Sequence, residues 1–338
     1  MQFCWVSQDF HPTCPIYFDA GYMQLFASVK QSTVKILRLD AASGSAWLPL
    51  ELTALGNGHW EASSSYGYGG LWSEHLFPVS QHDWRELMSF LAGEKIICAF
   101  IRHAPFLQNH LFWPIDRRTP NRKTYARELQ PGMTLETLCA GFDQKLRWSV
   151  HAAQRAQLQV EFYPATQWQA QDVAEFYQIY RALMAEKNSN AFYRFSEEFF
   201  QEHANAFGEQ CELALIRDPV TKKIVAGSMF LLDATGWAHY HLSASIRDGN
   251  KSQAVELLLA EALVRYANLG YRWLHLGGGH TLDGSDGLSR FKKKFSSTTL
   301  DFEISTWVCD EAAYQQERTL QPLTYPACFL IHDARGAL

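Results

Sequence analysis

The chain has 338 residues, room for one large domain or two ordinary ones, because single cores stop growing at about 250–300 residues. It is 47% hydrophobic, 14% aromatic and 19% charged, which excludes a disordered chain: there is enough apolar area to offset the entropy of ordering. Thirty Lys and Arg against 35 Asp and Glu leave a net charge of −5, so the global basic field that duplex DNA demands is absent, while a local basic groove stays open.

The 11 Trp, 14 Tyr and 22 Phe can build a core and can also line a groove for a large amphipathic ligand. The seven cysteines are odd in number and scattered, with no metal-ligand or redox spacing, which reads as reduced thiols in a cytoplasmic protein. No charged-then-apolar leader is seen at the start. Apolar runs such as Ile96 to Ile101 fall far short of the ~18 residues of a spanning helix. A cytoplasmic protein without a metal site is expected, with room for peripheral contact with membrane-linked precursors.

In chain order, Val34–Leu39 and Ala46–Leu52 read as strands, Tyr66–Gly70 as a glycine-broken loop, His82–Leu91 as a helix and Lys95–Arg102 as a buried strand. Thr134–Gln157 carries Leu135, Leu138, Phe142, Leu146 and Val150 at helical spacing and is followed by a strand, Gln159–Tyr163. The domain boundary is placed here, giving domains 1–150 and 151–338. Gln167–Lys187 is helical, and Ser196 N-caps the next helix. Cys211–Arg217, Lys223–Leu232 and Trp237–Ile246 read as three strands joined by turns at Asp218-Pro219 and at Asp233 to Gly236. Ser252–Asn268 is an amphipathic helix capped by Ser252 and ended by Gly270. Trp273–Leu276 is a strand running into Gly277-Gly278-Gly279, and Asp301–Val308 is a late strand. This order gives an α/β (α+β) layer, a mostly antiparallel sheet carrying helices. The order leaves room for a weak duplication across the two halves, which the first half does not itself display.

Four stretches carry chemistry-bearing residues. On the strand around His239, strict alternation puts His239, His241, Ser243 and Ser245 on one face and Tyr240 on the other. A polar row on a central strand faces a cleft or finds partners. His275-Leu276-Gly277-Gly278-Gly279 lets backbone approach a ligand and can form an anion-binding nest, or is a flexible turn. Phe291-Lys292-Lys293-Lys294-Phe295 sets a cation between aromatics on one helical side, aimed at phosphate, carboxylate or a developing oxyanion, or is a solvated face. Tyr66-Gly67-Tyr68-Gly69-Gly70 spaces aromatics by glycine, as in a mobile stacking platform or an ordinary loop.

Taken in order, these stretches resemble the Fem-type (FemAB-like) branch of the GNAT acyltransferase superfamily, over roughly residues 60–300. The likeness rests on the Tyr-Gly-Tyr-Gly-Gly loop, the basic helix and strand LRWSVHAAQRAQLQVEF, Phe176-Tyr177-Gln178-Ile179-Tyr180, Val225-Ala226-Gly227, the His-Leu-Ser-Ala-Ser strand, the Ala/Leu-rich helix ending in Gly270-Tyr271, the glycine triplet, and Phe291-Lys292-x-x-Phe295. The resemblance implies two packed GNAT-like domains, each a mostly antiparallel mixed sheet flanked by helices. It implies transfer of an acyl group to an amine of a sugar, peptide or amino acid in envelope or polysaccharide biosynthesis, with acyl-CoA as donor. Aminoacyl-tRNA is the alternative donor, for a peptidoglycan-bridge aminoacyltransferase; a non-catalytic binding protein of the same fold is the other alternative. By the match, Lys292 stabilises the oxyanion or the donor's phosphate, and Tyr240 lies beside the cleft. His239 or His241 is the candidate base, an ordinary imidazole being suited to that role. Tyr66, Tyr68, Gly69, Arg147, Tyr180, Ser243, Ser245, Gly277, Gly278 and Phe291 are the candidate substrate-binding residues. The chain departs from the pattern at Arg147-Trp148-Ser149-Val150-His151, which dilutes the basic pair of relatives and weakens the muropeptide reading.

Overall fold

The computed structural model describes residues 1–7, 14–189, 191–246, 253–320 and 322–336. The chain folds into two compact units, Met1–Asn121 with Asp301–Leu338, and Arg122–Leu300. In chain order come β1 (Gln2–Val6), α1 (Ala20–Lys30), β2 (Thr33–Ala41), β3 (Gly44–Gly56), β4 (His59–Ser63), α2 (Gln81–Gly93), β5 (Ile96–Arg102) and β6 (Thr119–Glu128). Then follow α3 (Leu135–Ala140), α4 (Gln144–Arg155), β7 (Val160–Pro164), α5 (Ala170–Glu186), α6 (Glu197–Phe207), β8 (Cys211–Arg217), β9 (Ile224–Leu232) and β10 (Trp237–Ser245). The chain closes with α7 (Ala254–Asn268), β11 (Trp273–Gly278), α8 (Gly287–Phe295), β12 (Thr298–Val308), α9 (Glu311–Leu320) and α10 (Ile331–Ala334).

These units divide the chain differently from the expected break after residue 150, which falls inside α4. Leu146, Val150 and Ala153 of that helix are buried in the core of the second unit, and a helix packed along its length cannot act as a linker. Two further expectations shift locally. The single helix expected over Thr134–Gln157 is α3 and α4, parted at Gly141, because Asp143 starts a new helix by accepting from the Leu146 amide at 2.8 Å. The expected cap Ser252 lies outside the described residues. Ser196 does cap α6, accepting from the Phe199 amide.

Each unit repeats one strand order. In the first, β1, β2, β3 and β4 are antiparallel neighbours, β4 pairs β5 in parallel, and β5 pairs β12 antiparallel. In the second, β7, β8, β9 and β10 are antiparallel neighbours, β10 pairs β11 in parallel, and β11 pairs β6 antiparallel. A parallel pair needs a crossover, supplied by α2 between β4 and β5 and by α7 between β10 and β11. The duplication left open by the sequence is therefore present in topology.

Helix α7 organises the second core. Leu257, Leu258, Leu259, Leu263 and Tyr266 are buried together with Phe230, Leu274, Phe142 and Phe295. Deleting one such leucine side chain costs about 2–5 kcal/mol, from lost transfer energy and the cavity left behind. In the first unit Leu37, Leu39, Leu48, Leu50, Leu87, Leu91, Ile101 and Trp307 form the equivalent core. There Glu61 is 2% exposed and accepts from the amides of Ile331, at 2.6 Å, and His332, fixing the residues after α9 to the sheet. Among the described residues, no helix is long and apolar enough to cross a membrane.

Helix α5 lies on β9 at a point that admits only glycine: a Cβ on Gly227 would stand 2.6 Å from Cδ2 of Phe176 and 3.0 Å from a Leu215 methyl. Gly227→Ala should destabilise by about 1–3 kcal/mol through overpacking. A thermal melt is expected to show a fall of several degrees; an unchanged midpoint would contradict this packing.

Candidate active site

The parallel ladder of the second unit is short. It runs Trp237↔Trp273, Ala238↔Leu274 and His239↔His275 and ends there. Strand β10 continues along β9 to Ser245, and β11 continues along β6 to Gly278. Two irregularities lie at this split. On β10 the register steps from Tyr240↔Phe230 to Leu242↔Met229, a bulge that advances two residues against one at His241. On β11 it steps from His275↔Ala126 to Gly277↔Tyr125, with Gly277 at φ +73°, a conformation that glycine adopts without steric cost.

The bulge overturns the expected polar row. An extra residue inverts the alternation beyond it, so Ser243 returns to the side of Tyr240. Its hydroxyl accepts from Ser228 Oγ at 2.9 Å, and Ser245 pairs with Ala226. Tyr240 packs on Phe230, ring centroids 5.6 Å apart. Burial raises its phenol, against hydrogen bonds with Ser243 and Ser228. His239 is fully buried, its Nε2 3.0 Å from Asp233 Oδ2 and its ring 5.6 Å from that of His275. Burial alone would raise the Asp233 carboxyl, but hydrogen bonds from His239 and Thr235 hold it below the usual range. His241 sits with its ring 5.7 Å from His203. Burial, then the charges of His203 and His239, pushes it well below an ordinary imidazole, so it is not the unperturbed base expected.

Helix α8 projects Lys292 to the split. Its side chain is 8% exposed, and Nζ donates to the Gly278 carbonyl at 2.8 Å. The ammonium lies 5.9 Å from the centre of the Tyr240 ring, within the usual range of a cation over an aromatic face. Burial pulls the Lys292 pKa down to about 7, with Asp286 raising it and Arg122 lowering it. Lys293 and Lys294 are exposed, as a solvated face requires. Phe291 is half-buried and meets Phe295 at 5.3 Å, while Phe295 is fully buried on Phe142.

The glycine triplet is not the expected amide nest. Gly278 is paired with Thr124 in the ladder, and the carbonyls of Gly278 and Gly279 face cations: Lys292 takes the first and Arg122 Nη1 the second at 2.8 Å. No Cβ fits at Gly279, where Ser289 and Asp286 occupy the space. The next amides, His280 and Thr281, donate to Asp286.

Other expected site residues are packed rather than open. In the first unit, the Tyr66–Gly70 loop is not a mobile platform. Gly69 donates to the Arg102 carbonyl at 2.7 Å and accepts from Ala104 and Asn109. Tyr68 lies edge-on to Tyr17, Phe106 and Phe302, and Tyr66 packs on Phe26. In the second unit, Tyr180 is 2% exposed, donates to the Tyr193 carbonyl at 3.1 Å and packs on Phe200; its helical spacing is that of a core stripe. Arg147 is exposed, with Nη2 on the Phe142 carbonyl at 3.1 Å. Sequence reasoning missed Arg122, Asp233 and Asp286. Only Asp286 left a signal, as an Asp directly before the helix that carries Lys292. Among the described residues, no group of three or more His, Cys, Asp or Glu could hold a metal ion.

A short parallel pair crossed by a long helix, with antiparallel strands leading into it, is the layout of the GNAT fold. Residues 140–293 match the model of the acetyltransferase (GNAT) domain family. The fold is similar to the crystal structure of FemX, with TM-score 0.67 and 11% identity over 94% of this chain and 99% of that one. It is also similar to the C-terminal domain of a putative lysylphosphatidylglycerol synthetase from Agrobacterium fabrum, with TM-score 0.52 and 16% identity over 85% and 86% of the two chains. L-PGS from Bacillus licheniformis is a third, with TM-score 0.54 and 11% identity over 84% and 86%. These likenesses show a shared fold. A comparison with curated proteins gives no match.

The buried lysine predicts a pH signature. Its proton is held more weakly in the folded than in the unfolded chain. The unfolded state therefore binds more protons between about pH 7 and the ordinary lysine range, and stability rises with pH across that window. Relative to Lys292→Met, the wild type should gain thermal stability as pH is raised from about 6.5 to 9. A constant difference in melting temperature would show that the ammonium is not desolvated.

Proposed function

We propose that the second unit is the catalytic half of an N-acyltransferase. It moves an acyl group from acyl-CoA to the amine of a sugar, peptide or amino acid in envelope or polysaccharide synthesis. The observation that carries this reading is Lys292, nearly enclosed, on a carbonyl at the point where two parallel strands part. Acyl-CoA, when bound, supplies an activated thioester carbonyl.

The chain's own residues then have definable work. Lys292 in its protonated form hydrogen-bonds the oxygen on which negative charge develops, in a site poor in water, where such a donor is strongest. Its pKa of about 7 leaves both protonation states populated near neutrality, so the ammonium is available without a fixed, unreleasable proton. Tyr240 keeps its proton and gives the ammonium an aromatic face. Of the two histidines, His239 is the better base: it stands at the last rung of the parallel ladder and is oriented by Asp233, the second-group logic of an acid-oriented imidazole. Ser243, Ser245, Gly277, Gly278, Phe291 and Arg147 are proposed to meet the substrates, whereas Tyr66, Tyr68, Gly69 and Tyr180 serve packing and leave the proposed site.

The test is release of free CoA from acetyl-CoA with a panel of amino sugars, amino acids and short peptides, beside a parallel assay with aminoacyl-tRNA. Lys292→Ala should lower turnover by about 10²–10³-fold, the usual effect of removing one oxyanion donor. Transfer from charged tRNA alone would give the aminoacyltransferase reading. Binding with no turnover from either donor, unchanged by Lys292→Ala, would leave a binding protein. His239→Ala should reduce turnover more than His241→Ala; full activity in both would remove the base assignment.

A further inference from the structure

The helix that carries Lys292 is capped by a carboxylate that the acyltransferase reading does not use. Asp286 precedes α8 as its N-cap and accepts from the Leu288 and Ser289 amides, at 2.9 and 3.0 Å, and from Ser289 Oγ at 2.6 Å. The same carboxylate reaches back to the His280 and Thr281 amides and to Thr281 Oγ1, at 3.1–3.3 Å. It thus ties the residues leaving β11 to the helix that returns over them. Gly279 has no room for a side chain because Asp286 and Ser289 fill that space. The loop and the helix are therefore locked in one register, and Lys292 lies six residues beyond the cap, on the Gly278 carbonyl.

We propose that Asp286 is the positioning residue of this site: it sets α8 against the end of β11 so that the Lys292 ammonium stays on the Gly278 carbonyl. The proposal rests on the acyltransferase reading for its effect on turnover, though not for its effect on Lys292 itself. Among the described residues, the groups that act on Lys292 are Asp286 from the α8 N-cap, Arg122 from β6, Tyr240 from β10 and His275 from β11. Asp286 opposes Arg122: the carboxylate favours the ammonium, and the guanidinium disfavours it. Hydrogen bonds from Ser289, Thr281 and His280 outweigh the effect of burial and hold the Asp286 carboxyl well below its ordinary range, so it stays charged through neutral pH.

The experiment measures the titration of Lys292 directly, by trace labelling with acetic anhydride across pH and mass spectrometry of the peptide that contains it. The comparison is between wild type, Asp286→Asn, Ser289→Ala and Arg122→Gln. Asp286→Asn retains an acceptor for the helix amides, and thermal melts confirm that each variant is folded. The labelling midpoint is expected to move to lower pH in Asp286→Asn, to higher pH in Arg122→Gln, and to stay in place in Ser289→Ala, which loses a hydrogen bond and keeps the charge. In the acetyl-CoA assay Asp286→Asn should lower kcat by about tenfold or more with little change in KM, the mark of a misplaced group. A midpoint unmoved in Asp286→Asn, or moved equally in Ser289→Ala, would overturn the proposal. If the midpoints move as expected while Lys292→Ala leaves transfer intact, the positioning holds and the catalytic role of Lys292 fails; if no donor gives transfer at all, the acyltransferase reading fails. If Lys292→Ala abolishes transfer while Asp286→Asn changes neither midpoint nor kcat, the reverse is true.

Discussion

An ammonium group taken out of water is the constraint around which the second unit is arranged. Burying a charge is expensive unless it gains partners. Lys292 is nearly enclosed, with the Gly278 carbonyl as its close acceptor and Arg122 working against it. Nothing about stability calls for this: a methionine of similar length would fill the same space without the desolvation. What makes the arrangement hold is the fit around it. Gly277 turns with positive φ, Gly278 presents its carbonyl, Gly279 yields space to the α8 cap, and Phe295 anchors the far end of that helix in the core. Perturbed groups gathered in this way recur at functional sites, which is the ground for the role proposed for Lys292.

The two units use one topology differently. In each, a parallel pair sits between an antiparallel meander and a sixth strand. In the first unit the chain beyond β4 stays fastened to β5. Ser64 donates to Phe100, Gly69 to Arg102, and Ala104 back to Gly69, while Asn109 bonds the carbonyls of Gly69 and Leu71. The glycines there serve close packing, since a Cβ at Gly70 would stand 2.9 Å from His103 Nδ1 and one at Gly69 2.8 Å from Ser64 Cβ. In the second unit the corresponding ladder stops at His239↔His275 and a lysine is brought to its end. The same Gly-rich chemistry closes the split in one unit and shapes it in the other.

Much of the second unit was legible in the sequence because its elements obey one period each. The strands Cys211–Arg217 and Ile224–Leu232 are mostly apolar, interrupted by Glu212 and Ser228, and buried along nearly their whole length, and α7 is apolar on most sides. The first unit was harder. β1 and β4 are five residues each, too short for a period to declare itself. In the second unit only β6 was as hard: it reads TPNRKTYARE, and its three consecutive buried residues, Thr124 to Ala126, are hidden among charges. α1 begins on Asp19, which accepts from the Gly21 and Tyr22 amides, but Gly21 obscures its helical pattern. The domain boundary was misplaced for a related reason: the units part within strands, where composition does not change.

The candidate site shows where period-two reasoning stops working. A strand read without its partner gives a face to every residue, and His239, His241, Ser243 and Ser245 then form one polar row. The partner strand decides otherwise, because the step at His241 lets β10 gain a residue on β9. A bulge leaves no mark in the sequence of the strand that carries it beyond the residue types it tolerates. Its consequence is chemical as well as geometric. It gives Tyr240 the hydroxyls of Ser228 and Ser243 as company and leaves His239 to Asp233, so that a phenol and an imidazole separated by one peptide bond answer to different environments. Residues that look like one constellation in the chain are thus two, and Asp286, which looked like part of a polar loop, is the group that joins the end of β11 to the lysine.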